Sequence, residues 1–309
     1  MLTWRETEEA DLDVCLCTQP HAIGDRVVGY RRAIEIWKSL RRSGALISRV
    51  VHGRAGNRTI CVLGSSVFVR PAFLESEIRH PRPGVNARIL ASIDEGHPVV
   101  LTHDEIALAN ASGSLDAVCL SAVAWPTSTP AELAEMMMAS VGSCADAHAG
   151  YHLRSIIAET PTDLMDRLAP HAGEIEILQR FADTDLWRLT RERVHAAASS
   201  LSNLLFSYRR PRFLLRRADQ HLLTAALGGA IDRELADKLG LTTSAVKKRW
   251  QSIYDTIENA QPEFFSGVSG GRDGTRGPQK RHRVLSYVRD HIEEIRPYGR
   301  PARGYRAPD

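Results

Sequence analysis

No apolar run in the chain approaches the roughly 18 residues that a membrane-spanning helix requires; the longest, Ala117 to Trp125, has the length of a strand. The acidic start MLTWRETEEADLD lacks the basic and apolar regions of a secretory leader. No membrane partner and a cytoplasmic setting are therefore expected. Cysteine is sparse as well: Cys15, Cys17, Cys61, Cys119 and Cys144 are scattered and form no CxxC pair. Cys61 and Cys119 fall inside apolar runs, where a small buried hydrophobe is the ordinary reading. Cys15 and Cys17 have no second pair to complete a metal site. No metal and no cofactor is expected.

The signatures of common catalysts are missing too. There is no HExxH, GxSxG or Walker pattern. The histidines of the first half stand at His21, His52, His80, His97, His103, His148 and His152. His148 and His152 are the most suggestive pair, but at a helix-to-strand corner they read as structural. Asp94-Glu95 and Asp104-Glu105 read as helix ends rather than paired acids. An acyl-CoA loop of the form R/Q-x-x-G-x-G/A is absent, and Arg42 to Ala45 is a poor echo of it. The expectation is a chain that is not an enzyme.

What is present begins with alternating elements. Val27 to Arg41 has a helical apolar face of Ala33, Ile34, Trp37 and Leu40. Leu46–Val51 and Thr59–Val69 read as a hairpin across a turn-rich stretch. Val85–Ser92 and Asp104–Asn110 read as helices, Pro98–Leu101 and Leu115–Trp125 as strands. Thr129, Pro130 and Glu132 announce a helix to about Ala147, and His152–Ala158 reads as a strand. From Asp163 to Tyr208 the pattern reads as helical, with one long helix over Leu186–Leu205. These elements give an α/β or α+β body of sensory type over residues 1–162, with a small acyltransferase-like fold equally open, and a helical connector over 163–208.

Charge separates the halves. From Arg209 to Asp309 there are 20 Lys/Arg against 12 Asp/Glu, a balance of +8; the preceding residues carry 20 against 25, or −5. An apolar helix face made by Leu215, Leu222, Leu223, Ala226 and Leu227 ends at Gly228-Gly229. A short helix with Leu235, Ala236 and Leu239 inward is followed by a turn at Gly240 to Thr242. The next helix has Val246, Trp250, Ile253 and Ile257 at i, i+4, i+7 and i+11, so one face is buried. Its outer face then carries Ser244, Lys247, Lys248 and Gln251, a set suited to base edges and phosphates in a major groove.

The runs GAIDRELA (Gly229–Ala236), LGLT (Leu239–Thr242) and AVKKRW (Ala245–Trp250) resemble the C-terminal domain of LuxR-type regulators. The resemblance covers about residues 214–258. It implies an all-α tetrahelical helix-turn-helix domain over 209–262 that binds double-stranded DNA, usually as a homodimer. By position, Lys247, Lys248 and Gln251 would meet bases or phosphates, Thr242, Thr243 and Ser244 would hold the backbone, and Arg249, Arg216 and Arg217 would flank them. Ile231 departs from the family's Ser/Thr helix cap, and Arg249 from its usual His.

A Gly-rich linker follows over 263–277, then a basic amphipathic helix and tail over 278–309. The amphipathic helix has an apolar stripe of Val284, Leu285, Val288, Ile292 and Ile295. Lys280, Arg281 and Arg283 on its first turns are expected to combine packing with phosphate contacts. The expected function is a DNA-binding transcriptional regulator controlled by a small-molecule effector or a protein. An acyltransferase-like enzyme with an appended DNA-binding domain is the alternative, as is a sigma-like factor meeting RNA polymerase.

Overall fold

A seven-stranded mixed sheet organises the first two thirds of the chain. The computed structural model describes residues 2–18, 28–53, 60–124, 129–168, 173–197, 202–266 and 276–299, and divides into Met1–Ser207 and Tyr208–Gly304. The strands are β1 (Leu2–Glu6), β2 (Leu46–Gly53), β3 (Ile60–Phe68), β4 (Leu115–Ala124), β5 (Leu153–Pro161), β6 (Glu176–Arg180) and β7 (Thr184–Thr190), in the order β1-β2-β3-β4-β5-β7-β6. Every neighbouring pair is antiparallel except β4 and β5, which run parallel.

Helices lie on both faces, as a parallel contact in the middle of a sheet requires. On one face sit α1 (Glu9–Thr18), α2 (Tyr30–Ser43), α3 (Pro71–Arg79) and α4 (Val85–Asp94). There Trp37, Ile36, Ile89 and Leu90 pack on Val50, Leu63, Val118, Leu120 and Ile157. The other face carries α5 (His103–Ser112), α6 (Pro130–His148), α8 (Arg191–Ala196) and α9 (Asn203–Phe206), with α7 (Thr162–Leu168) between β5 and β6. Ile106, Val194 and Phe206 pack there on Phe68, Ala117, Ile156 and Leu189, and Met136 and Ala139 on Val51 and Val62. Alternation along β3 makes this division: Leu63 and Val67 face α2, whereas Val62 and Phe68 face the other side.

Two expectations need correction here. The stretch 163–208 is not a helical connector, because β6 and β7 complete the sheet. Residues Thr184–Thr190 pair with β5 from Pro161 to Ser155, and that ladder outweighs the local helical reading of Leu186–Leu205. The final helix also ends early. Helix geometry stops at Asp290, and His291 (φ −134°, ψ 63°) turns the chain into a 3₁₀ segment, Ile292–Ile295.

The second unit is helical: α10 (Arg217–Ala226), α11 (Asp232–Leu239), α12 (Thr243–Ala260) and α13 (Arg276–Asp290). Val246, Trp250, Ile253 and Ile257 of α12 are buried against Leu222, Leu223, Leu235, Val284 and Val288. The carboxylate of Glu294, buried in this unit, accepts from the backbone of Arg212 at 2.8 Å and of Phe213 at 3.0 Å. Burial raises its pKa above the ordinary glutamate value despite these two bonds.

Gly113 and His152 form a tight contact in the sheet unit. Gly113 ends α5 in the left-handed region, φ 70°, and a Cβ there would lie 2.5 Å from the His152 ring. Burial, then the Arg191 guanidinium, pushes the His152 pKa down to about 4. The unfolded imidazole binds its proton near 6.5 and the folded one only near 4. Stability from this group is therefore complete above pH 6.5 and is lost as pH falls toward 4. The urea midpoint of the full chain is expected to drop between pH 7 and 4.5, and His152→Phe is expected to shrink that drop. Equal slopes in the two proteins would refute the assignment.

Candidate active site

The parallel contact between β4 and β5 ends at Cys119 and Ala158. At that point β4 carries a bulge: Ser65 pairs with Ser121 and Ser66 with Cys119, so Leu120 is the extra residue. Its carbonyl turns out of the ladder and accepts from Asn86 Nδ2 of α4. Beyond Ala158, β5 keeps only β7. Glu159 Oε2 accepts from the backbone of Gly84 at 2.7 Å and of Val85 at 3.0 Å, capping α4, while Oε1 accepts from Thr184 Oγ1 at 2.7 Å. Gly84 adopts φ 83°, which lets its amide point at that carboxylate.

On the opposite face a cavity of about 270 Å³ opens between β2, β3, β4, β5 and α6. Its walls are largely apolar, with Val51, Val62, Ala147, Ala158 and Trp187 among them. Gly64 contributes no side chain, and a Cβ built on it meets nothing within 4 Å. Trp187 is held by Nε1 donating to Thr160 Oγ1 at 2.9 Å.

Two polar side chains meet in this apolar space. Ser66 and His148 are 2% and 3% exposed, and Ser66 Oγ lies 2.8 Å from His148 Nε2. His148 Nδ1 lies 2.8 Å from the carbonyl oxygen of Cys144. A carbonyl only accepts, so Nδ1 carries the proton, Nε2 is the acceptor and Ser66 donates to it. This is the hydroxyl–base–orienter arrangement that nucleophilic catalysis requires. The cavity thiols do not compete with it. Burial pushes Cys144 up to about 11 and raises Cys119 further, with Cys144 adding to the latter. Neither is a thiolate at neutral pH.

Ser66 carries no local signature in the sequence, and His148 stands 82 residues away from it. The doublet Ser65-Ser66 inside an otherwise apolar strand was the available signal. His148, which the sequence alone presents as structural, faces the cavity. His152 instead packs on Gly113.

The residues expected to meet DNA are arranged as follows. Thr242 caps α12, its Oγ1 accepting from Ala245 N at 3.1 Å. Thr243, Ser244, Lys247, Lys248 and Gln251 are exposed on α12, Arg249 is half-buried, and Arg217 is exposed on α10. Gln251 donates to Asp255 Oδ1 at 2.7 Å. Arg216 is not free, being paired with Asp219 at 3.0 Å and bonded to Ser252. The phosphate contacts expected of α13 are corrected by its internal partners. Lys280 pairs with Glu258 and lies 4.7 Å over the Phe265 ring. Arg281 pairs with Asp232 at 2.7 Å and lies 4.8 Å over Trp250, and Arg283 donates to the Ser266 carbonyl at 3.2 Å.

No family model and no curated protein matches the chain. Among solved structures it is similar to a variant of the spermidine N-acetyltransferase SpeG from Vibrio cholerae, at 10% identity and a TM-score of 0.36, over 64% of this chain and 98% of that one. It is also similar to an uncharacterized protein from Bacillus halodurans, at 10% identity and 0.38, over 66% and 92%. A third likeness is to the aminoglycoside acetyltransferase AAC(6')-Ib in complex with ribostamycin and coenzyme A, at 11% and 0.35, over 64% and 98%. Likenesses this slight carry no argument of their own; the sheet order and the cavity do. The sheet and the cavity correct the expected sensory-type body followed by a helix-turn-helix domain, because a seven-stranded mixed α/β sheet dominates the chain. With it go the expectations of a transcriptional regulator and of a chain without enzymatic chemistry, since the body holds a buried Ser–His pair lining an apolar pocket.

The N-termini of α4 and α6 are closed to a phosphate-bearing carrier. Helix N-termini are the natural seats for phosphate. That of α6 is closed by the Thr129–Glu132 capping box, with Glu132 N donating to Thr129 Oγ1 at 3.2 Å and Thr129 N to Glu132 Oε2 at 3.1 Å. That of α4 is closed by Glu159. Two carboxylates stand where an anion would be drawn.

The cavity itself is directly testable. Gly64→Val is expected to fill it from the floor, keep the fold and raise stability by about 0.5–2 kcal/mol. Chemical denaturation checks this; a loss of stability would show that the space beside Gly64 is not open.

Proposed function

We propose that the sheet unit is an acyl-transfer enzyme whose reacting pair is Ser66 and His148. The observation that carries this is the pair itself: a buried hydroxyl donating to an imidazole whose tautomer is set by the Cys144 carbonyl, inside an apolar cavity. Ser66 Oγ attacks the carbonyl carbon of an activated ester or thioester while its proton passes to His148 Nε2. The leaving group departs with that proton, and water or an amine takes the acyl group from Ser66 in the reverse sense. Exclusion of water from the cavity strengthens each of these interactions. The donor is a small acyl compound, since the described starts of α4 and α6 are both closed by carboxylates and offer no seat to a nucleotide carrier's phosphates.

The test uses the full chain with p-nitrophenyl acetate and butyrate, the N-acetylcysteamine thioester and acetyl-CoA. Turnover of the small donors is expected, with acetyl-CoA no better than the short thioester. Ser66→Ala and His148→Gln are each expected to lower kcat/KM by about 10²–10⁴. Rates within twofold of the parent in both variants would overturn the reading.

For the appended helical unit we propose duplex DNA as the partner. This is supported by the outer face of α12, where exposed Lys247 and Lys248 have no ion pair among the described residues. Binding of the full chain to duplex DNA is expected to weaken steeply with salt, and a Lys247→Ala, Lys248→Ala double variant to reduce the salt slope by about two. An unchanged slope in an electrophoretic or anisotropy titration would refute this. The free thiols of Cys119 and Cys144 support a reducing, cytoplasmic setting for both activities.

A further inference from the structure

Arg49 is the one Lys or Arg among the described residues lining the cavity, and the reacting pair does not use it. Its side chain is 19% exposed, and its charged partner among the described residues is Asp146, at 3.2 Å. Asp146 is 51% exposed, and the same Oδ2 accepts from Trp4 Nε1 at 3.3 Å. One solvated carboxylate, already shared, leaves most of the guanidinium's five donors for another acceptor. A guanidinium held against apolar walls favours a planar, charged partner, and a carboxylate meets its fork with two parallel bonds.

Register then sets the distance. Arg49 stands opposite Gly64, and Ile47 opposite Ser66. Along one face of a strand that is a single two-residue step, about 7 Å. The intervening position is Gly64, whose missing side chain leaves the lane between them open.

Resting on the reading of Ser66 and His148 as the acyl-transfer pair, we propose that Arg49 selects acyl groups that end in a carboxylate. The fitting substrates are half-esters or half-thioesters of short dicarboxylic acids, with about two to four methylene groups between the two carbonyl carbons. The reacting carbonyl lies at Ser66 Oγ and the far carboxylate at Arg49. Arg49 is thus a specificity-determining residue and takes no part in proton transfer.

The experiment compares succinyl and butyryl N-acetylcysteamine thioesters, probes of similar length that differ in terminal charge. The full chain is expected to favour the succinyl probe by at least about tenfold in kcat/KM, carried mainly by KM. In Arg49→Met that ratio is expected to fall to near one. Asp146→Asn, which releases the guanidinium from its present partner, is expected to raise it. An arginine that merely pinned Asp146 on α6 would leave the ratio unchanged in both variants, and that result overturns the proposal. Ser66-dependent turnover with no preference between the probes also overturns it while sparing the acyl-transfer reading. Turnover of either probe that survives Ser66→Ala overturns the acyl-transfer reading, and this proposal with it.

Discussion

The parting of β4 from β5 is the constraint on which the rest of the sheet unit depends. Past Cys119 and Ala158 the two strands no longer satisfy each other, and a buried backbone group left without a partner costs about 1–3 kcal/mol. The chain answers each loss separately. β5 stays paired to β7 as far as Pro161, the freed Leu120 carbonyl takes Asn86, and Glu159 reaches across to the first turn of α4. One face of the parting is thereby sealed by the segment between β3 and β4. On the other face Gly64 leaves space that no helix fills, and the cavity forms there.

Electrostatics then decides which chemistry that space supports. A buried thiol without a cationic neighbour is held in its neutral form, and both Cys119 and Cys144 are in that condition. A hydroxyl has no such option of ionising and depends on a base held at the right nitrogen. His148 is so held because the residue four positions earlier in α6 turns its carbonyl toward Nδ1. The same helix carries Asp146 to Arg49 on the neighbouring wall. Thus α6 supplies the base, its tautomer and the counter-charge of the cavity's cation. Its N-terminus, closed by Thr129 and Glu132, is unsuited to a further anion.

Local signals made much of this architecture legible, and long-range ones hid the remainder. The hairpin of β2 and β3, the strand β4 and the capped start of α6 each announce themselves within a dozen residues, through alternation, an unbroken apolar run, or a Thr-Pro-x-Glu entrance. β6 and β7 do not. Leu186, Trp187 and Leu189 suit a helix as well as a strand, and only the ladder to β5 decides between them. The reacting pair is hidden for the same reason. Ser66 gains meaning only when α6 crosses β3, and a histidine at a helix end looks structural until its neighbour across 82 residues is known.

Charge was the least reliable guide, because a count of cations does not say which are free. Of the basic residues assigned to phosphates, Arg216 is spent on Asp219 and Ser252. Lys280 and Arg281 are spent on Glu258 and Asp232, and on aromatic rings at 4.7 and 4.8 Å. Such pairs fasten α13 to the helical core, adding to Val284 and Val288, and a cation engaged in this way must lose those contacts before it can meet a phosphate. Lys247 and Lys248 are differently placed. The face opposite Val246 and Trp250 is turned away from the core by helical periodicity alone, and neither lysine forms an ion pair among the described residues. The +8 balance of this part of the chain therefore overstates its pull on a polyanion, and Lys247 and Lys248 are cations on one helix face that remain exposed to meet one.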